Sequence, residues 1–219
     1  DCLLSRGLGD VYKRQAVSSA QLDGNGDINI SWLPMPVRDA EGKPTGEWNK
    51  RGLRLPGGAG APVVFGLHRK SVAYFPNHSK QVFVPSVNYI TGTRIYLSDE
   101  ERLEQGLQAG PMIVVTNLCV MEMRERGIWK VLSLHRGVTA QDVIENTGFD
   151  LQIDDHCPVT DAPTAQEVAL IKQLDPKGIH LLDFMSGKER AGKLPAILQD
   201  EWDNICLLYT SDAADEEDS

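Results

Sequence analysis

The sequence predicts strands with interspersed helices around a single core, an α/β or α+β fold. Three observations carry this. Short apolar runs recur between Pro, Asn, Gly and Ser residues, as strands do. Ser98, Thr139 and Thr164 each stand three residues before an acidic residue (Glu101, Asp142, Glu167), the spacing of a helix capping box. Two apolar runs, LCVMEM and WKVLSLH, flank Arg124 to Gly127 and read as a hairpin.

In chain order, residues 16–32 (AVSSAQLDGNGDINISW) read as strand, turn and short strand. Residues 34–54 carry Pro34, Pro36, Pro44, Gly42 and Gly46 among charges and read as a long polar loop. A Gly-rich turn joined to an apolar run follows (LPGGAGAPVVFGL), then two short strands, SVAYF and QVFVPSV. Ser98 opens a helix to Gln108, and Met112 to Asn117 is a β-branched run suited to a strand buried on both faces. Thr139 opens a second helix, with Gly148 as its C-terminal cap, and Thr164 a third running through Leu174 and stopped by Pro176.

The chain has 219 residues, 22 Lys plus Arg and 31 Asp plus Glu, for a net charge of −9. That balance offers nothing to hold a nucleic-acid backbone or an anionic membrane. No run approaches the roughly 20 apolar residues of a membrane span, and no apolar signal-peptide region stands near residue 1. A cytoplasmic protein is expected. Both ends look foreign to the domain: the codons of a sequencing adaptor translate as Ser5 to Gln15, and their reverse complement opens the stretch Cys206 to Glu216. Residues 1–15 and 206–219 are therefore expected to be adaptor-derived, and 16–205 to be a domain truncated at its N-terminus. Of four cysteines, Cys119 and Cys157 remain, with no CxxC pattern and a reducing compartment as the simplest setting.

Few residues signal chemistry. Asp23 to Asp27 begins like a calcium loop, but Ile28 and Pro34 stand where Gly and a bidentate carboxylate are needed, so a turn is expected. Asp154, Asp155, His156 and Cys157 are consecutive, without a second ligand cluster, and no metal site is expected. His135 and Cys119 read as structural. The loop Gly57, Gly58, Ala59, Gly60 and Ala61 is more informative, because small residues let a backbone approach a ligand and aim its amides at an anion.

Taken in order, SSAQLDGNGDINIS, RLPGGAGAPVV, GPMIVVTNLCVMEM, SLHRGVTAQDVIENTGFDL and APTAQEVALIKQLDPKGI resemble the β subunit of family I CoA-transferases. Within that family they are most similar to the glutaconate CoA-transferase branch and the steroid ring-cleavage acyl-CoA hydrolases. The resemblance implies a NagB/RpiA-like α/β domain with a mainly parallel sheet, flanking helices and a β-hairpin. It also implies a homologous α subunit as partner, and acyl-CoA and a carboxylic acid as substrates. Coenzyme A would be a substrate, with no cofactor bound permanently. Gly57 to Ala61 would then form the oxyanion and CoA-binding loop, with Ala59 and Gly60 where the family has two adjacent glycines. The family's nucleophilic glutamate lies upstream of the segment matching Ser18 to Asn29. Here that region is adaptor, and none of Glu41, Glu47, Glu100, Glu101 or Glu104 takes its place. A hydrolase β subunit and a non-catalytic CoA-binding partner are the alternatives. Arg69, Lys70 and Lys80 are candidates for CoA's phosphates.

Overall fold

The computed structural model describes residues 14–58, 60, 70–93, 98–106 and 110–215. The chain divides into two units, one through Thr160 and one from Asp161 onward. The first unit contains a five-stranded mixed sheet in the order β1 (Arg14–Val17), β6 (Lys70–Phe75), β9 (Met112–Thr116), β10 (Cys119–Glu125), β11 (Ile128–Leu134). β1, β6 and β9 run parallel, and β9, β10 and β11 are antiparallel. The expected hairpin is thus the antiparallel half of the sheet, turning at Arg126–Gly127. A smaller sheet has the order β7 (Phe83–Val84), β2 (Gln21–Asp23), β3 (Asp27–Asn29), β8 (Gly92–Thr93). The core lies between the sheets: Leu22 and Ile28 from the small sheet meet Phe75, Met112, Val114, Met121, Met123, Trp129 and Val131 from the large one.

All three expected caps are present. Ser98, Thr139 and Thr164 each accept the backbone N–H three residues on, and Glu101, Asp142 and Glu167 return the bond to the cap amide. The helices they open are α1 (Asp99–Glu104), α2 (Ala140–Glu145) and α3 (Ala165–Leu174). In the second unit α3 is followed by a 3₁₀ turn, Ile179–Phe184, and α4, Gly187–Asp215, with Pro195 inside it.

Several expectations are corrected. Residues 34–54 are not a loop: β4 (Trp32–Arg38) and β5 (Pro44–Arg54) form a two-stranded antiparallel ribbon. Both strands are edges, so the prolines withhold no ladder bond that a central strand would need. Gly148 is not the cap of α2, which ends at Asn146. Its N–H bonds Phe83 O at 2.8 Å, and a Cβ there would come within 2.6 Å of that oxygen, so the glycine serves close backbone approach. Met112 to Thr116 alternates buried and half-buried residues instead of being sealed on both faces. The strand expected in QVFVPSV is only two residues long, and α1 stops at Glu104. The apolar run after Ala61 lies outside the described residues.

Candidate active-site loop

The Gly-rich loop grows directly out of the ribbon. Trp32 pairs with Arg54 at the ribbon's base. The ladder continues past it: Leu55 N–H donates to Ser31 O at 3.0 Å and Gly57 N–H to Ile30 O at 2.9 Å. Gly57 sits at φ +98°, a conformation that an L side chain rarely adopts. A Cβ at Gly57 or Gly60 would meet nothing within 4 Å, so the side on which those side chains would lie is open. Gly57 and Gly58 are half-buried and Gly60 is exposed, while Ala59 and Ala61 lie outside the described residues. Because the Gly57 amide is already committed to Ile30 O, any anion-binding donors must come from Gly58 onward.

Beneath this base lies a floor of buried amide side chains. Asn29, with no exposed surface, accepts from the amides of Ser31 (3.1 Å) and Trp32 (3.2 Å) and donates to Trp32 O (2.6 Å) and Gln21 Oε1 (2.9 Å). Gln21 in turn accepts from Asn88 N–H (3.1 Å) and donates to Asn88 Oδ1 (2.7 Å). Thr91 Oγ1 accepts from Ile30 N–H at 3.0 Å and lies 2.7 Å from Ser31 Oγ. Both residues that hold the Gly-rich loop, Ile30 and Ser31, are thereby fixed from below. Sequence reasoning missed this floor; its one visible signal was polar residues at alternate positions of short strands, Gln21 and Asp23, Asp27 and Asn29. Replacing Asn29 with Ala is expected to cost about 1–3 kcal/mol, since buried partners lose their bonds. Amide hydrogen exchange at Ser31 and Trp32 should accelerate in that variant.

The base has a bulge as well. Leu33 pairs with Leu53 but Met35 with Asn49, so two extra residues of β5 are taken up between them. Gly52, at φ +55°, lies under the Trp32 indole, where a Cβ would approach Nε1 to 2.3 Å, and Trp32 Nε1–H donates to Arg51 O at 3.0 Å.

The other candidates have the following surroundings. Asp23 Oδ1 accepts from the amides of Asn25 and Asp27 and Oδ2 from Val87, so its carboxylate staples a turn. Burial, with the neighbouring Asp27 charge, pushes its carboxyl above the usual range despite those bonds. Among the described residues no group of three or more His, Cys, Asp or Glu is placed to hold a metal. Asp154 pairs with Lys130 at 3.0 Å. His135 is held by Thr160 Oγ1 (2.9 Å) and Thr116 O (2.8 Å). Cys119 is fully buried and its thiol is pushed up to about 11 by burial, the wrong direction for a nucleophile.

No family model matches the chain. Among curated proteins it is 34% identical over 162 residues to the β subunit of the 3-oxoadipate CoA-transferase of Pseudomonas knackmussii, covering 73% of this chain and 57% of that protein. It is 33% identical over 173 residues to the IpdB subunit of a cholesterol ring-cleaving hydrolase of Rhodococcus jostii, covering 76% and 62%. The β subunit of the glutaconate CoA-transferase of Acidaminococcus fermentans is 25% identical over 164 residues, covering 73% and 56%. The chain thus spans a little over half the length of these relatives. Among solved structures, Rhodococcus jostii IpdAB superposes with a TM-score of 0.59 at 25% identity, over 83% of this chain and 70% of that one. The decarboxylase AibA/AibB has the same fold, with a TM-score of 0.57 at 24% identity over 78% and 63%. In sequence the chain is thus similar to CoA-transferase β subunits and to the IpdB subunit of a ring-cleaving hydrolase, and in fold to IpdAB.

Proposed function

We propose that residues 16–205 are the larger part of a β subunit that, with a homologous α subunit, moves CoA between an acyl-CoA and a carboxylic acid. The observation that carries this reading is the Gly-rich loop, anchored by Ile30 and Ser31 over a buried amide floor and open on its other side. A glutamate encoded upstream of residue 16 in the intact gene would attack the thioester carbonyl, expelling CoA thiolate and leaving a mixed anhydride. The thiolate then attacks the glutamyl carbonyl, releasing the first acid and forming glutamyl-CoA, and a second carboxylate reverses the sequence. Each attack places negative charge on a carbonyl oxygen. Amides from Gly58 to Ala61 are the groups suited to receive it, and one such donor contributes about 3–4 kcal/mol in other enzymes.

Similarity to the hydrolase subunit favours a second reading, in which water takes the place of the second acid. Among the described residues no helix is long and apolar enough to cross a membrane. With Cys119 and Cys157 both free, we place the protein in the cytoplasm.

The chain alone is expected to turn over no acyl-CoA, because it carries neither the glutamate nor the partner. Any exchange of labelled CoA by the purified polypeptide would contradict that. Co-expression of the untruncated gene with its neighbouring α-subunit gene tests the function itself. Transfer of CoA to an added acid supports the transferase, release to water alone supports the hydrolase, and neither product overturns both.

A further inference from the structure

From Trp48 to Ser98 the chain contains no aspartate or glutamate but seven lysines and arginines, within a protein of net charge −9. The Gly-rich loop lies inside this acid-free stretch, and the ribbon's second strand feeds it. Arg51 and Arg54 are exposed, and neither has an ion-pair partner among the described residues. The backbone that carries Arg51 is held in place, because the Trp32 indole lies over Gly52 and Trp32 Nε1–H donates to Arg51 O. Arg54 is Trp32's partner across the ribbon, and two further backbone bonds, from Leu55 N–H to Ser31 O and from Gly57 N–H to Ile30 O, tie the chain between it and the loop. At the rise of a strand the two guanidiniums start about 10 to 20 Å along the chain from the loop.

We infer that the base of the β4–β5 ribbon, through Arg51 and Arg54, binds the phosphate groups of the CoA nucleotide while the loop receives the thioester. This rests on the reading under Proposed function. A long uncharged pantetheine arm separates CoA's thioester from its phosphates, so the anion site must lie at a distance from the loop, and a strand that carries two arginines on a held backbone and leads to the loop meets that requirement. Arginine suits such a site, because its charge persists at all working pH values and its planar fork donates to two phosphate oxygens at once. The lack of carboxylates over the whole stretch removes the repulsion that the rest of this acidic chain would exert on a polyanion.

Calorimetric titration of the full chain with CoA, 3′-dephospho-CoA and pantetheine tests the assignment. Charge reversal in the double variant Arg51→Glu, Arg54→Glu is expected to weaken CoA about tenfold or more and to leave pantetheine unchanged. Adenosine 3′,5′-bisphosphate should compete with CoA in the wild type and not in the variant, and added salt should weaken CoA alone. The control Lys172→Glu, Lys188→Glu, an equal charge change in the second unit, should bind as wild type. Circular dichroism melts establish that each variant is folded. Undiminished CoA binding by a folded Arg51, Arg54 variant would overturn the ribbon site while pantetheine binding keeps the loop reading. An equal weakening of CoA and pantetheine would also overturn it, and a wild-type chain that binds neither sinks both.

Discussion

Replacing Trp129 with Ala is expected to destabilise the first unit by about 3–5 kcal/mol, the range for removing a large buried aromatic. Trp129 on β11 is 1% exposed, packs on Phe149 at 5.8 Å between ring centroids, and donates from Nε1 to Gly24 O at 3.0 Å. That bond joins the large sheet to the turn between β2 and β3. Removing the indole opens a cavity and also frees the Asp23 to Asp27 turn on which the small sheet, and so the amide floor, depends. With a whole domain stable by only about 5–15 kcal/mol, urea unfolding should show a midpoint lowered by a large fraction. Trp129→Phe, which keeps most of the volume and loses the bond, should fall between. A midpoint within experimental error of wild type in the Ala variant would mean that the hairpin does not support the small sheet.

Acid should act on the same core through His78. Its ring is buried, stacked on Phe83 at 4.0 Å, with Nδ1 3.0 Å from Thr116 Oγ1 and Nε2 2.9 Å from Thr147 Oγ1. Thr147 already donates to Val143 O at 2.7 Å, so it accepts from Nε2–H, while Thr116 Oγ1, which accepts from the Leu118 and Cys119 amides, has one proton for either Nδ1 or Cys119 O at 3.2 Å and so faces Nδ1 as a donor. The site thus suits the neutral ring, and burial lowers its pKa from 6.5 to about 4. The unfolded chain therefore binds a proton between those values that the folded chain refuses. Stability is fully present above pH 6.5 and falls as the pH drops toward 4, by about 3 kcal/mol in all for this one group. His78→Gln should flatten that part of the profile, whatever its effect at pH 7. An unchanged acid slope in the folded variant would assign the acid sensitivity to other groups.

The parts of the fold legible in the sequence are those made by near neighbours. Each capping box is written within four residues, as in Thr139 to Asp142, and the hairpin within two adjacent runs. Gly148 misled because a glycine after a helix is the usual mark of a cap, whereas its use here is set by Phe83 and Pro85, which come close only in the folded chain. The ribbon was hidden by Pro34, Pro36 and Pro44, which argue against a central strand but not against one whose free edge faces solvent. As for the site, the Gly-rich loop was visible by composition alone. What holds it was not: Gln21 and Asn88 are 67 residues apart, and Ser31 and Thr91 60, so no local pattern marks the network.

The proposal is of an enzyme that works through a carboxylate-bound CoA. It is tested most directly by incubating the restored β subunit and its α partner with an acyl-CoA, quenching, and reading the β chain by peptide mass spectrometry with and without borohydride. CoA is expected in thioester linkage to one glutamate upstream of residue 16, replaced after borohydride by the corresponding alcohol. Turnover of acyl-CoA with no such adduct on any glutamate of the β chain would contradict it.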